Sequence, residues 1–232
     1  MPNYVYNKLI VHGKVDLERF MTDGKFDFNK IIKRPEIYDK TVAGSVIDIG
    51  LKSLYETAKQ DVKKGIKPTE NILKMNKLNE VYQHISSFNV GQTLDEYKAP
   101  KYGKEYIEEA TKSAELTVEA YETYGYTDWY TWNLEHWDTK WNASETDYFD
   151  DTIYFTTAWS MPENIIVELS KILQGIECEI YWADEGISEN VGHATYVNGV
   201  VKKGGYLKPG SKEWVETKEE LGVMIYDDDD ES

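Results

Sequence analysis

The sequence predicts an α+β fold in which helices cover one face of an antiparallel sheet, and three observations support this class. Short β-branched runs occur together with helical patterns near both ends of the 232-residue chain. A long helical stretch lies between them, and a two-residue turn joins the last two predicted strands. Hydrophobic residues make up 41% of the chain and aromatic residues 13%, which is enough to build a core.

The first predicted elements are a strand and a short helix. Residues 8–12 are largely apolar or β-branched and are followed by Gly13, which is typical of a strand end. Residues 15–21 then indicate a short helix. An irregular connection leads through Pro35.

The middle of the chain, residues 45–124, predicts three helices. Apolar residues recur at every third or fourth position along each of them. The first helix is interrupted at Gly65 and Pro68, and the third ends at Gly125.

The last part of the chain returns to alternating elements. Residues 153–159 predict a strand, and Pro162 begins a helix because its missing N–H is not needed there. Residues 177–182 alternate as a half-buried strand. Asn198-Gly199 predicts a hairpin with a type I′ turn, the strongest short-range signal in the chain.

Together these elements predict an α+β, ferredoxin-like antiparallel sandwich with a helical insertion. We expect residues 1–44 and 125–226 to form the core and residues 45–124 the insertion. Residues 227–232 are five consecutive acidic residues followed by Ser232, a composition that predicts a solvated, disordered tail.

Charge is unevenly distributed along the chain, whose net charge is −16. Residues 1–100 carry 16 basic and 13 acidic side chains, whereas residues 101–232 carry 10 basic and 29 acidic ones. Such a field repels phosphate backbones, so we expect no direct binding of nucleic acid. The acid excess either serves solubility or attracts a basic partner protein.

Three further classes are disfavoured by composition. No apolar run approaches the roughly 18 residues of a membrane span, and the first residues do not resemble a signal peptide. The single cysteine, Cys178, excludes an internal disulfide and a cysteine zinc site. We therefore expect a cytoplasmic protein.

Four segments resemble a known family. Residues 1–11 are similar to its opening, and residues 136–143 resemble its Asn-Trp-Gly-Thr-Lys-Trp-Asn-Ala motif, with Asp138 where that motif has glycine. Residues 155–162 resemble Phe-x-Thr-Ala-Trp-Ser-Pro-Pro, and residues 181–186 resemble a third motif. The family is the YubB ferredoxin-like (Api-like) family of phage, prophage and plasmid proteins. The resemblance implies a ferredoxin-like fold and a mobile-element origin, but no activity.

A small-molecule or nucleotide site is one candidate. Tryptophans near a lysine could form a pocket beside the sandwich, or they could simply be large core side chains. The Asp184-Glu185 pair at a strand end could share acid–base work, or it could form a turn. The candidate ligand-binding residues are Trp137, Lys140, Trp141, Trp159, Asp184 and Glu185.

No catalytic or metal motif is evident. Metal-compatible side chains between Glu135 and Asp151 lack a recognised ligand spacing, and the acids at 147–151 are typical of a turn before a strand. Cys178 lacks an identifiable base, and His12, His84 and His193 look isolated. We expect no cofactor and no enzymatic activity.

The leading expectation is an accessory protein that binds and inhibits a basic, nucleic-acid-handling host protein in the host cytoplasm. Such a role would be anti-defence, for example anti-CRISPR or anti-restriction, with an acidic surface that mimics DNA. The surface would include the acids of one predicted helix. These candidate partner-binding residues are Glu105, Glu108, Glu109, Glu115, Glu119 and Glu122.

Overall fold

A computed structural model describes residues 3–42, 44–85 and 91–224. The chain divides into two compact units. One consists of Met1–Arg34 together with Asn133–Ser232, and the other is Pro35–Trp132. The helical unit thus begins before residue 45 and ends after residue 124, the limits predicted for the insertion. The predicted tail, 227–232, lies outside the described residues.

The first unit is built on a six-stranded sheet with the order β4-β5-β1-β6-β7-β8, in which every neighbouring pair is antiparallel. Its first strand lies between β5 and β6, as in a ferredoxin-like sandwich. The predicted α+β, ferredoxin-like fold is confirmed. The strands are β1 (Tyr4–Val11), β4 (Ser144–Phe149), β5 (Thr152–Ala158), β6 (Cys178–Asp184), β7 (Val191–Val197) and β8 (Val200–Tyr206), and a separate small hairpin joins β2 (Met21–Thr22) to β3 (Lys25–Phe26).

One face of the sheet forms the main core. Alternate residues of β1 are buried, from Val5 to Val11, because successive side chains of a strand point to opposite faces. Helix α5 (Glu163–Ile172) buries Ile165, Ile166 and Leu169. Cys178 is also fully buried, as predicted.

The opposite face is covered in part by a helix that the sequence did not predict. Helix α6 (Lys212–Glu220) begins at Ser211, whose hydroxyl accepts a hydrogen bond from the Trp214 N–H. Trp214 packs with Ala183 and Val191, which alternate with the main-core residues of β6 and β7. The sheet therefore has helices on both faces, whereas the sequence predicted them on one.

The predicted hairpin turn joins β7 to β8. Asn198 and Gly199 have φ values of 53° and 78°, as a type I′ turn requires at both positions. The Asn198 carboxamide oxygen also accepts a hydrogen bond of 2.7 Å from the Gly175 N–H, so the turn is tied to the end of the α5 segment.

The second unit is helical. Helix α1 packs against both α2 and α3. At Gly50 the backbone of α1 approaches α3 so closely that a Cβ atom would lie 2.0 Å from the Ala110 carbonyl oxygen. Gly125 ends α3 with a φ of 83°, as predicted. These helices are α1 (Ser45–Lys63), α2 (Pro68–Ile85) and α3 (Lys104–Tyr124), and α4 (Trp129–Trp137) follows them.

Within residues 3–42, 44–85 and 91–224, none of the helices has the length and apolar character that a membrane crossing requires.

Candidate functional site

The six candidate glutamates of α3 are all exposed. At about 100° per residue, five of them lie within an arc of about 100°, opposite the buried side of the helix. Only Glu109 lies outside this arc, which also contains Lys104 and Lys112. We call the five glutamates the acidic stripe; they are Glu105, Glu108, Glu115, Glu119 and Glu122.

The acidic stripe accounts for the net charge of the helical unit. Helix α3 carries six glutamates and two lysines, while the other residues of 35–132 carry ten acidic and ten basic side chains. Among the stripe glutamates, Glu108 forms an exposed ion pair of 3.5 Å with Lys104. Exposed pairs of this kind neutralise little of the field.

The stripe borders a groove between α2 and α3. Its volume is about 520 Å³. The α1 residue Leu54 contributes to its lining together with apolar residues of both neighbouring helices. The full lining is Leu54, Leu73, Lys74, Lys77, Leu78, Glu115, Val118, Glu119 and Glu122, so three stripe glutamates belong to the groove.

The candidate ligand residues are only partly brought together. The Lys140 ammonium lies 4.5 Å from the ring centroid of Trp141 and 5.1 Å from that of Trp159. Both rings are 39% exposed. Trp137, by contrast, is 1% exposed, and its indole N–H donates to the Ile32 carbonyl oxygen at 3.0 Å. It is a core residue that does not join the other two tryptophans.

The two carboxylates at the end of β6 make the contacts of a turn. Asp184 is fully buried and accepts hydrogen bonds of 2.8 Å from the N–H groups of Gly186 and Ile187. The Glu185 carboxylate accepts from the Tyr4 N–H at 2.9 Å. The Asn190 amide donates both to Asp184 and to the Trp159 carbonyl oxygen, and so links this turn to the Lys140 cluster.

Asp138, the departure from the glycine of the motif, lies in a conformation that glycine adopts easily. Its φ is 59°, a region where aspartate is tolerated better than most residues. Its carboxylate accepts a hydrogen bond of 2.7 Å from the Asn164 N–H in the first turn of α5. Burial raises the pKa of Asp138 although this hydrogen bond opposes the rise. The substitution thus keeps the turn and adds a bond to the helix.

Across the described part of the chain, no group of three or more His, Cys, Asp or Glu side chains is arranged to hold a metal ion. The acids between Asp147 and Asp151 do not form a single turn. Asp147 belongs to the edge strand β4, and the turn itself lies at Asp150, where φ is 53°.

Residues 136–227 match the family model described as the ferredoxin-like domain in Api92-like protein. Over these residues the chain is similar to the Api-like ferredoxin-like family, in agreement with the resemblance of the sequence motifs. The crystal structure of a protein api92 from Yersinia pseudotuberculosis aligns with 91% of this chain and 100% of its own, at 10% identity and a TM-score of 0.37. No curated protein matches the chain.

The six-stranded sheet, most of whose strands lie within residues 136–227, carries a polar cluster that the sequence did not reveal. Two histidines, predicted to be isolated, bind the same carboxylate. His12 Nε2 lies 2.7 Å from Glu179 Oε2, and His193 Nε2 lies 2.7 Å from Glu179 Oε1. The Tyr181 hydroxyl donates to Glu179 at 3.0 Å, and its ring stacks on His193 at 4.1 Å.

The electrostatics of Glu179 follow from these contacts. Burial alone would raise its pKa, but the hydrogen bonds from His12, His193 and Tyr181 outweigh burial and lower the pKa to about 2. Because an ionised carboxylate only accepts, both Nε2 atoms carry protons toward it. The cluster ties β6 and β7 to the end of β1. In the sequence, this cluster is indicated only by polar residues at alternate positions, Glu179 and Tyr181 in one strand and His193 and Thr195 in the next. That pattern identifies the cluster only when the strand register is known.

A cleft of about 420 Å³ lies beside this cluster, between the sheet and α6. Lys8 enters it and forms an ion pair of 2.6 Å with Glu220. Burial tends to lower the pKa of Lys8, but the hydrogen bonds to Glu220 and Tyr154 raise it. Charges of both signs line the cleft: Lys8, Tyr181, His193, Leu207, Glu213, Glu216, Thr217 and Glu220.

Proposed function

We propose that this protein acts by binding a basic protein of the host, and not as an enzyme. The partner proposed is a nucleic-acid-handling factor, such as a defence nuclease, whose inhibition would serve a phage or other mobile element. The mobile-element part of the proposal is supported by the motifs shared with phage and plasmid proteins. The binding part is supported by the surface of α3.

The observation that carries the proposal is the acidic stripe. Five exposed glutamates share one side of a rigid helix in a unit that is otherwise balanced in charge. An ordered row of like charges attracts and orients a surface of opposite charge. The same field disfavours phosphate backbones, which supports a protein partner over nucleic acid.

The charge density of the stripe indicates what kind of contacts the partner has to make. The stripe runs from Glu105 to Glu122, about 26 Å at 1.5 Å per residue. With Lys104 and Lys112 on the same arc, this side of the helix carries about one net negative charge per 9 Å, against about one per 1.7 Å for duplex DNA. The stripe is therefore too sparse to replace duplex DNA through charge alone. Apolar contacts beside it have to supply part of the affinity.

The alternative of a ligand pocket around Lys140 rests on fewer residues. Lys140, Trp141 and Trp159 form an exposed cation–π cluster, which favours a flat or anionic ligand. Trp137 is buried, however, and the Asp184 carboxylate is occupied by turn contacts. The acidic stripe keeps five of its six predicted residues together on one exposed surface, and the predicted ligand pocket keeps fewer.

Charge reversal tests the proposal. The tagged chain is used to capture proteins from a bacterial host at low salt, and bound proteins are released at high salt. We expect a stoichiometric basic protein, lost when Glu108, Glu115 and Glu119 are replaced by lysine.

The matched control reverses three acids of α6, at Glu213, Glu216 and Glu219. It changes the net charge equally, and circular dichroism checks that both variants fold. Capture that survives reversal of the stripe, or that is lost equally in the control, would show that the stripe is not the binding surface.

A further inference from the structure

The groove between α2 and α3 points to a specific form of partner. We infer that it is the docking site for an amphipathic helix with an apolar ridge and a basic flank, presented by the partner protein. This inference rests on the proposed function, because it assigns the groove as the place where that partner is held.

The groove follows from how the three helices pack. Helix α1 contacts both α2 and α3 along their lengths, whereas α2 and α3 make few contacts with each other. They touch at Tyr121, whose hydroxyl donates to Glu80 at 3.1 Å and whose ring lies 4.9 Å from that of His84. Elsewhere α2 and α3 stand apart, and Leu54 of α1 forms part of the lining of the space between them.

The groove has apolar side chains where a partner helix would insert its ridge. Leu78 and Leu54 are buried at its floor, and Leu73 stands at its edge with 64% of its surface exposed. Val118 lines the wall of α3. A channel of about 520 Å³ between parallel ridges is the form in which proteins bind amphipathic helices through residues spaced three and four apart.

The charges of the walls select the occupant. Glu115, Glu119 and Glu122 line one wall over about two helical turns. The opposite wall has Lys74 and Lys77, but Lys77 is paired with Glu80 at 3.2 Å. The uncompensated charge beside the groove is therefore negative. A helix with lysine or arginine along the flank facing α3 would place its charges next to the stripe while its apolar ridge fills the channel.

Synthetic peptides test this assignment on the full chain. The probe is a fluorescently labelled helix of about 16 residues with leucines at i, i+3, i+4 and i+7 and lysines along one flank. A second peptide has glutamate in place of each lysine, and a third has glutamine in place of each leucine. We expect the first to bind, the second not to bind, and the third to bind about tenfold more weakly or worse.

Variants of the chain test whether the peptide binds in the groove. Leu73→Gln removes an exposed apolar contact without changing charge, and Glu115→Gln combined with Glu119→Gln removes two charges of one wall. Each is expected to weaken binding of the lysine peptide about tenfold. Glu109→Gln, on the same helix but outside the stripe, is the matched control and should leave binding unchanged.

Several results would overturn the inference. They are equal binding of all three peptides, loss of binding in the Glu109 control, and no effect of Leu73→Gln. Sedimentation velocity that shows a dimer disrupted by Leu73→Gln would assign the groove to a second copy instead. A host protein captured through the stripe but insensitive to Leu73→Gln would leave the proposed function standing and remove only the groove.

Discussion

Glu179 shows how single residues from distant parts of the sequence make one structural unit. Its carboxylate accepts three hydrogen bonds, from His12, His193 and Tyr181, and only 13% of its side chain is exposed. A carboxylate is retained at such a site because its charged form is stabilised by donors more than it is penalised by burial. Replacing one carboxylate oxygen by an amide NH₂ leaves at least one of the three donors without an acceptor and removes the charge that strengthens all three bonds.

Glu179→Gln is expected to destabilise the protein in a pH-dependent way. The pKa of about 2 in the folded protein lies below the 4.5 that is usual for a glutamate, so the carboxylate contributes stability above pH 4.5 and loses it as the pH falls toward 2. The contribution at neutral pH is on the order of 3 kcal/mol. Urea unfolding of both proteins between pH 7 and pH 3 measures it.

The control for this prediction is Glu216→Gln, an exposed substitution on α6. It should change the unfolding free energy by less than about 0.5 kcal/mol at every pH. A difference between wild type and Glu179→Gln that stays constant down to pH 3 would contradict the assigned role of the carboxylate.

The same residues show what the sequence could not reveal. Cys178 was predicted to be buried from alternation alone, because that inference needs only one strand. The contacts of His12 and His193 depend on three strands being aligned, and a one-residue slip would move the side chains to opposite faces. Alternation thus predicts burial, while convergence of side chains on a site requires the register.

At the scale of elements, prediction succeeded where local chemistry was strong. The Asn198-Gly199 hairpin and the helix after Pro162 were both predicted. The edge strand β4 is polar and alternates only between partly buried and exposed residues, so its sequence does not indicate a strand, and the acids of 147–151 are instead typical of a turn. Strand β8 continues through Gly204 although glycine has a low strand propensity. Glycine is needed there because a Cβ atom would lie 2.0 Å from the His193 carbonyl oxygen.

The crossing of α1 and α3 gives a prediction at this scale. Gly50→Ala should destabilise the protein by at least about 2 kcal/mol, although alanine favours a helix by about 1 kcal/mol. The added Cβ would lie 2.0 Å from the Ala110 carbonyl oxygen and 2.7 Å from the Ala114 Cβ, so the helices would have to separate. Thermal unfolding measures the loss.

Gln60→Ala, at an exposed position of the same helix, is the control and should change stability by less than about 0.5 kcal/mol. Equal stability of Gly50→Ala and wild type would mean that the two helices do not cross as closely as the structure shows.

At the scale of the whole molecule, the fold and the charge distribution could be predicted from the sequence to different extents. Periodicity predicts most of the strands and helices, although not β4 or α6, and the family match of residues 136–227 supports the ferredoxin-like fold. The acidic surface followed from composition, but its concentration on one side of α3 required the helix boundaries. The groove could not be predicted, because it depends on α2 and α3 packing against α1 rather than against each other.

The net charge of −16 predicts how stability responds to salt. Repulsion among the excess acids opposes folding, and raising NaCl from 20 to 500 mM screens it by shortening the Debye length from about 20 Å to about 4 Å. The ion pairs within helices, such as Lys67–Glu70, are exposed and each contribute only about 0.3 kcal/mol, so their loss is the smaller effect.

We expect the midpoint of thermal unfolding at pH 7 to rise with NaCl by several degrees. Near the isoelectric point of about 4.7 the net charge is close to zero, and the rise should disappear. A midpoint that falls with NaCl at pH 7 would mean that the ion pairs outweigh the repulsion, and that the acids are distributed more favourably than their excess implies.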